Sequence, residues 1–333
     1  MALVLTEEQT MLRDMAKDFF TEQVPVTNLR KLRDGEDDLG YDKDVWAQIV
    51  ELGPGRGSLM ADMRHSWAHT TPAMAEFPIH LVETSPQLRK LQRRHINAAK
   101  MTWHDDVQTL PNAALFGVAN EFFDALPVDQ AIWRQPAWRH RFVTVTHGTL
   151  SLVDGPALTQ AELDAWQISN DQTDMTDGAI AEYCPAAEPI IQQIAGRIAC
   201  YGGACLVIDY GKNDNFGDSL QAVATHKPVD LFYQPGSADI SHWVDFAALR
   251  RAVVSAGARF IGPVTQADFL MSIGLRERAE NAARLCDADG KRALYAAVDR
   301  LVGAHHMGTA FKVGLIVPAG HGVPIGFNRG DIS

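Results

Sequence analysis

Cysteine is scarce in this chain: Cys184, Cys200, Cys205 and Cys286 are the only four among 333 residues. No two stand as C-x-x-C and none joins histidines at zinc spacing, so neither a disulfide framework nor a structural zinc site is encoded. The four read as small buried apolar residues in a reducing compartment, and the expectation is a cytoplasmic protein. Long apolar runs are missing too, and no stretch approaches the twenty or so residues of a membrane span. The first residues, with Glu7 and Glu8, lack the basic pattern of a signal or transit peptide. Positive charge is in deficit. Lys and Arg total 30 against 41 Asp and Glu, a net charge of −11. Such a surface repels nucleic acid and anionic membranes and favours cationic partners. There is no internal repeat and no low-complexity segment. What the chain does have is 46% apolar residues, enough for one large α/β domain or two smaller ones.

The most informative stretch runs from Ile49 to Met60. An apolar run, Ile49-Val50-Glu51-Leu52, ends in Gly53-Pro54-Gly55-Arg56-Gly57, and a helical pattern begins at Ser58. This predicts strand, tight turn and helix. The glycines admit positive φ and let a ligand approach the backbone, while the helix start aims free N–H groups at the same spot. A dinucleotide fingerprint would read G-x-G-x-x-G. Here the spacing is G-x-G-x-G with Glu51 two residues ahead, an acid suited to a cationic amino group and repulsive to a pyrophosphate. The spacing resembles the first motif of class I S-adenosylmethionine methyltransferases, with a glycine-rich surface turn as the alternative.

Further along, Pro78 to Val82 predicts a second strand ending at Glu83, an acid placed to accept from both hydroxyls of a ribose. Thr84-Ser85-Pro86 starts the next helix, so Glu83 also reads as part of a helix cap. After a weak third strand comes Asp105, a candidate acceptor for an adenine amino group or a solvated turn acid. Ala113 to Ala119 predicts a fourth, buried strand. It delivers Asn120, Glu121 and Asp124 over the crevice of a doubly wound sheet, where substrate is held. Residues 141–153 predict a hairpin turning at His147-Gly148. Residues 185–200 predict a helix with a core stripe of Ile190, Ile191, Ile194 and Ile198. A fifth strand, 204–209, ends at Asp209-Tyr210-Gly211. Helices over 246–254 and 266–273 and a late strand over 311–317 complete the pattern.

"VELGPGRGSLMADM", "HLVETSPQLRKLQ" and "NEFFDALPVDQ" together resemble the MidA-like methyltransferase family, which includes a mitochondrial complex I assembly factor that methylates protein arginine. The likeness continues through "CLVIDYG", "SADISHWVDFAALR" and "MGTAFKV", covering roughly residues 49–317. It implies a class I methyltransferase fold with a Rossmann-like sheet, S-adenosylmethionine as donor and a protein, basic or arginine-containing, as acceptor. Two departures stand out. Residues 1–52 resemble instead the N-terminal helices of acyl-CoA dehydrogenases ("LTEEQTMLRDMAKDFFTEQV" and "LGYDKDVWAQIVELG"), with Leu12, Met15 and Phe19 on one helical face. The letters Ile49 to Leu52 are thus shared by both resemblances, as helix in one and as the expected strand in the other. The family's site-closing segment before the glycine motif is absent, which implies a more open crevice and weaker donor binding. The family's A-H-V-D-F also reads His242-Trp243-Val244-Asp245-Phe246 here, so no role carries over to the histidine.

The domains expected are therefore a helical appendage over 1–48 and a methyltransferase domain over 49–333, with a substrate-side insertion at about 130–182. The expected donor-site residues are Glu51, Gly53, Gly55, Gly57, Glu83 and Asp105. Glu121, Asn120 and Asp124 are expected to serve the acceptor, with Asp209 nearby and no metal. A guanidinium stays charged at neutral pH, so carboxylates must hold and polarise it, and a bidentate Glu suits its planar fork. Two alternatives share the scaffold: a small-molecule methyltransferase, and a binding or assembly protein whose site the altered N-terminus has disabled.

Overall fold

The computed structural model describes residues 47–327 apart from 72, 73, 75, 76, 99, 172–174 and 226. The expected helices of residues 1–46 lie outside the described residues. The chain enters strand β1 (Gln48–Leu52), all five residues buried. The letters shared by the two resemblances thus form a strand, because both faces of Ile49-Val50-Glu51-Leu52 find cover. Helix α1 (Ser58–Thr70) follows the glycine turn. Then come β2 (Ile79–Val82), α2 (Pro86–Ile96) and β3 (Met101–His104). Helix α2 starts as its sequence dictates, with Pro86 in the first turn and the Ser85 hydroxyl accepting from Leu88 N.

After β4 (Leu115–Asn120) the chain leaves the main sheet. It builds a separate antiparallel sheet from β5 (Asp129–Arg134), β6 (Ala137–Thr146), β7 (Thr149–Ala157) and β8 (Ile180–Tyr183), with α3 (Gln160–Trp166) packed on it. Its strand order is β7-β6-β5-β8. Trp133, Trp138 and Trp166 form its own small core with Leu158 and Leu163. The hairpin turns at His147-Gly148, both at positive φ.

The chain rejoins the main sheet through α4 (Ala187–Tyr201) and β9 (Gly203–Lys212). A three-stranded patch of β10 (Gln221–Ala224), β11 (Lys227–Val229) and β12 (Asp239–Ser241) follows. Next are β13 (Val244–Asp245), α5 (Phe246–Ser255) and β14 (Ala258–Thr265). Four helices, α6 (Gln266–Ser272), α7 (Leu275–Ala283), α8 (Ala288–Val302) and α9 (Met307–Ala310), precede the last strand, β15 (Phe311–Pro318).

The main sheet runs β14-β15-β9-β4-β1-β2-β3, with β13 beside β9. All its pairs are parallel except the two made by β15. Strand order reverses between β1 and β4, so the ligand crevice of this doubly wound sheet opens over their carboxyl ends. One face packs Leu115, Ala119, Cys205 and Val207 against Ile191, Ile194 and Ile198 of α4 and against Leu249 and Val253 of α5. The cysteine expectation holds for Cys205, which is buried. Cys200 is exposed, since it falls on the outer side of α4, and Cys184 and Cys286 are intermediate.

Candidate active site

The turn after β1 is shaped by its three glycines. Gly53, Gly55 and Gly57 have φ of 59°, 51° and 83°, in the left-handed region. Gly53 is constrained further, because a Cβ there would stand 2.8 Å from Cδ2 of Phe122. The two sequence motifs, 69 residues apart, are thus in contact. At Gly55 a Cβ would meet nothing within 4 Å, so this glycine borders open space. Gly57 caps α1 without a side-chain hydrogen bond, and the first turn of α1 has no acid. Its leading N–H groups therefore favour an anionic group.

Glu51 lies at the floor of this turn, 3% exposed, and its Oε2 has no hydrogen-bond partner among the described residues. Burial pushes its carboxyl up to about 7. A buried acceptor left in this condition is costly unless a ligand completes it.

Glu83, just past β2, is also buried. Its Oε1 accepts from Ser85 N at 2.8 Å and its Oε2 from Gln92 Nε2 at 3.1 Å. The cap reading is therefore real, and each oxygen keeps a lone pair for a further donor. Gln92 was invisible to motif reasoning, since nothing in its sequence neighbourhood marks it. It is fully buried on α2, and its Nε2 also donates to Gly55 O at 2.7 Å while its Oε1 accepts from Trp103 Nε1 at 2.7 Å. One amide thus locks the glycine turn to the acid of β2. Asp105 stands apart. Its side chain is 81% exposed and pairs with Arg89 at 2.6 Å, whose guanidinium also donates to Glu83 O.

At the end of β4, Glu121 takes φ of 51°, a left-handed conformation rare for a residue with a Cβ. Its N–H donates to Ile208 O at 2.9 Å and its Oε1 accepts from Asn120 Nδ2 at 3.3 Å. The next three N–H groups converge on one oxygen: Phe122, Phe123 and Asp124 donate to Asp209 Oδ2 at 3.2, 2.9 and 3.3 Å. Asp209, fully buried at the end of β9, is thus the anchor of the loop. Burial, then Asp124, raises its carboxyl well above the usual carboxylate range. Asp124 is buried with Oδ1 unpartnered among the described residues. Burial, then Glu121 and Asp239, push it up to about 6. Asp239 had not been singled out, because it arrives from β12 across a long connection. Tyr210 completes the group. Its phenol is raised by burial and then by Glu121 and Asp124, and its ring packs on Phe311 at 4.0 Å between centroids.

A cavity of about 340 Å³ lies on the other side of this loop, between α3, β8, the start of α4 and the length of α5. No residue of the glycine turn lines it; Phe123 and His242 form part of its wall. His242 is buried with Nε2 unpartnered among the described residues, and its N–H donates to Asp124 O at 3.0 Å.

A doubly wound sheet with a glycine turn, an acid beneath it left without a partner among the described residues and a second acid just past β2 defines a class I S-adenosylmethionine-dependent methyltransferase. Comparison with known proteins agrees. Residues 38–264 match the family described as "Putative S-adenosyl-L-methionine-dependent methyltransferase". The chain is 30% identical over 299 residues to the mitochondrial protein arginine methyltransferase NDUFAF7 of Xenopus tropicalis, covering 81% of this chain and 68% of that protein. It is likewise 30% identical to the human NDUFAF7, over 83% of this chain and 67% of the relative. A crystal structure from Burkholderia thailandensis bound to S-adenosyl-homocysteine superposes with a TM-score of 0.73 at 26% identity, covering 87% of this chain and 76% of that one. The chain belongs to this methyltransferase family, and its donor is S-adenosylmethionine. The cytoplasmic expectation is overturned by the same relatives, which are mitochondrial proteins. Its basis was cysteine usage, which reports redox conditions and does not distinguish one reducing compartment from another.

Proposed function

We propose that the crevice over β1, β2 and β4 seats the donor and presents it to an arginine of a protein substrate held by Glu121 and its neighbours. Glu51 takes the donor's cationic amino group, which would give Oε2 its missing partner and draw its pKa back down. The N-terminus of α1 receives the carboxylate. Gly55 gives the donor its open flank, and Glu83 accepts from the ribose hydroxyls while Gln92 holds it. Asp105, exposed at the rim, is the candidate for the adenine amino group. Bound there, the sulfonium supplies an electrophilic methyl group.

On the acceptor side the enzyme must aim a nitrogen and compensate the guanidinium charge. Glu121 is held in a fixed, strained backbone conformation beside Asn120, which orients its carboxylate. Asp124 adds a second carboxylate, and Asp209 fixes the loop that carries both. The carboxylates bind the planar cation, concentrate electron density at the nitrogen facing the donor and take up the proton the product releases. The single observation behind this reading is Asp124 Oδ1 beside Glu121, a buried acidic oxygen with no partner among the described residues. The acceptor named for the relatives, protein arginine, has that chemistry. The test is transfer of a tritiated methyl group from the donor into cell extract, resolved on a gel and hydrolysed. Label in a protein band that hydrolyses to methylarginine is expected. Label only in small molecules, or in another amino acid, would refute the arginine assignment.

A further inference from the structure

The cavity behind the 121–124 loop lies outside the donor and acceptor sites proposed above. At about 340 Å³ it has the size of a small-ligand pocket. Its floor is buried and apolar: Phe123 of the loop, Trp166 of α3, Ala187 of α4 and Leu249 of α5. The Trp166 ring stacks on Tyr183 of β8, with centroids 5.4 Å apart and planes inclined by 26°, so a flat aromatic face is fixed in the wall. His242 is a buried polar member of that wall. Its Nδ1 lies 3.0 Å from Trp243 O, and a carbonyl only accepts, so Nδ1 donates. In the neutral ring Nε2 is then an acceptor, and it has no partner among the described residues. The two cations of the wall are already matched: Lys212 pairs with Asp214 at 2.8 Å, and Arg251 lies 3.8 Å from Asp245. Asp164 and Glu188, exposed at the rim, are not matched. Among the described residues each has a glutamine amide for partner, Gln160 at 2.8 Å and Gln192 at 3.1 Å, and no cation.

We propose that this cavity is a second ligand site, for a small organic cation of the arylalkylamine type. Its flat body lies on Trp166 against Phe123, its cationic nitrogen faces Asp164 and Glu188, and a donor on its body meets His242 Nε2. The charge pattern selects the sign. An anion would find Lys212 and Arg251 already engaged and would be repelled by the two unmatched carboxylates. An uncharged hydrocarbon would leave those carboxylates and Nε2 unanswered. A cation satisfies them and gains from the aromatic faces as well. The site is distinct from the acceptor acids, yet it touches the loop that carries them. The Phe123 ring forms part of the wall while its N–H donates to Asp209 Oδ2, and His242 N–H donates to Asp124 O. The bound cation therefore rests against the back of the acceptor loop. Nothing in this inference depends on arginine being the acceptor.

The test is calorimetric titration of the full chain with tryptamine and with indole-3-propionate, which keeps the ring and reverses the charge. Tryptamine should bind one to one and at least tenfold more tightly than the propionate. Combining Asp164→Asn with Glu188→Gln, both at exposed positions, should abolish that preference. Ala248→Phe, which fills the cavity from α5, should weaken tryptamine at least tenfold. Glu121→Gln should leave tryptamine binding unchanged, which separates this site from the acceptor acids. Absence of tryptamine binding, equal affinity for the two probes, a preference that survives the paired carboxylate substitutions, undiminished binding in folded Ala248→Phe, or binding lost in Glu121→Gln would each overturn the assignment. If Ala248→Phe does not fold, the paired substitutions at the rim decide the matter alone.

Discussion

Single residues carry most of the chemistry proposed here, and Glu51 is the sharpest case. Its folded pKa is raised to about 7 from 4.5. The unfolded chain loses this proton at lower pH than the folded chain does, so stability falls as pH rises from 4.5 toward 7. That separation corresponds to roughly 3 kcal/mol. Glu51→Gln should therefore stabilise the ligand-free protein at pH 8 by about 1–3 kcal/mol in urea titrations, while weakening donor binding. In the wild type, donor binding near pH 7 should release protons, read by calorimetry in buffers of different ionisation enthalpy. Binding without proton release would detach Glu51 from the donor site. At the acceptor, Glu121→Gln should spare donor affinity and lower turnover by roughly a hundredfold, as loss of an electrostatic partner does. An unchanged rate would remove Glu121 from the mechanism. His80 tests the other sign. Its Nδ1 lies 2.9 Å from His104 Nε2, and burial, then His104, hold it down to about 4. The unfolded chain takes up this proton near 6.5 and the folded chain only near 4, so stability present at neutral pH is lost as pH falls through that window. The loss is expected to reach about 3 kcal/mol.

At the scale of elements, Gln92 ties α2 to the glycine turn. Gln92→Leu, similar in size, should keep the fold but free Gly55 and Glu83, raising the donor dissociation constant by about tenfold, the equivalent of one lost hydrogen bond to a charged group. An unaltered constant would make Gln92 a packing residue only. The elements themselves were largely legible in the sequence. Apolar runs ending in acids mark β1, β2 and β9, and the Ile191-Ile194-Ile198 period marks α4, because burial on both faces or along one stripe leaves a local signature. The acids at strand ends could be named for the same reason. What stayed hidden was contributed by distance. Gln92, Asp239 and the clasp of Asp209 on three backbone N–H groups act through contacts between segments far apart in sequence. Strand β14 also went unrecognised, since Gly262-Pro263 interrupts its pattern.

On the scale of the whole molecule, the deficit of positive charge and the carboxylates around Glu121 and Asp124 face the same kind of partner. A chain with net charge −11 should draw a basic acceptor by long-range attraction. The KM for a basic protein acceptor should therefore rise several-fold between low and physiological salt, with kcat little changed. The assembly of that site depends on a sheet that brings residues 51–57, 83 and 121–124 to one edge, and the donor must occupy the space beside Gly55 if this arrangement is correct. The most direct measurement is a calorimetric titration of S-adenosylmethionine into the wild type and into folded Gly55→Val. The branched side chain would fill the open flank, so binding is expected in the wild type and lost in the variant. Equal affinity in both would contradict the assignment of the donor to this turn.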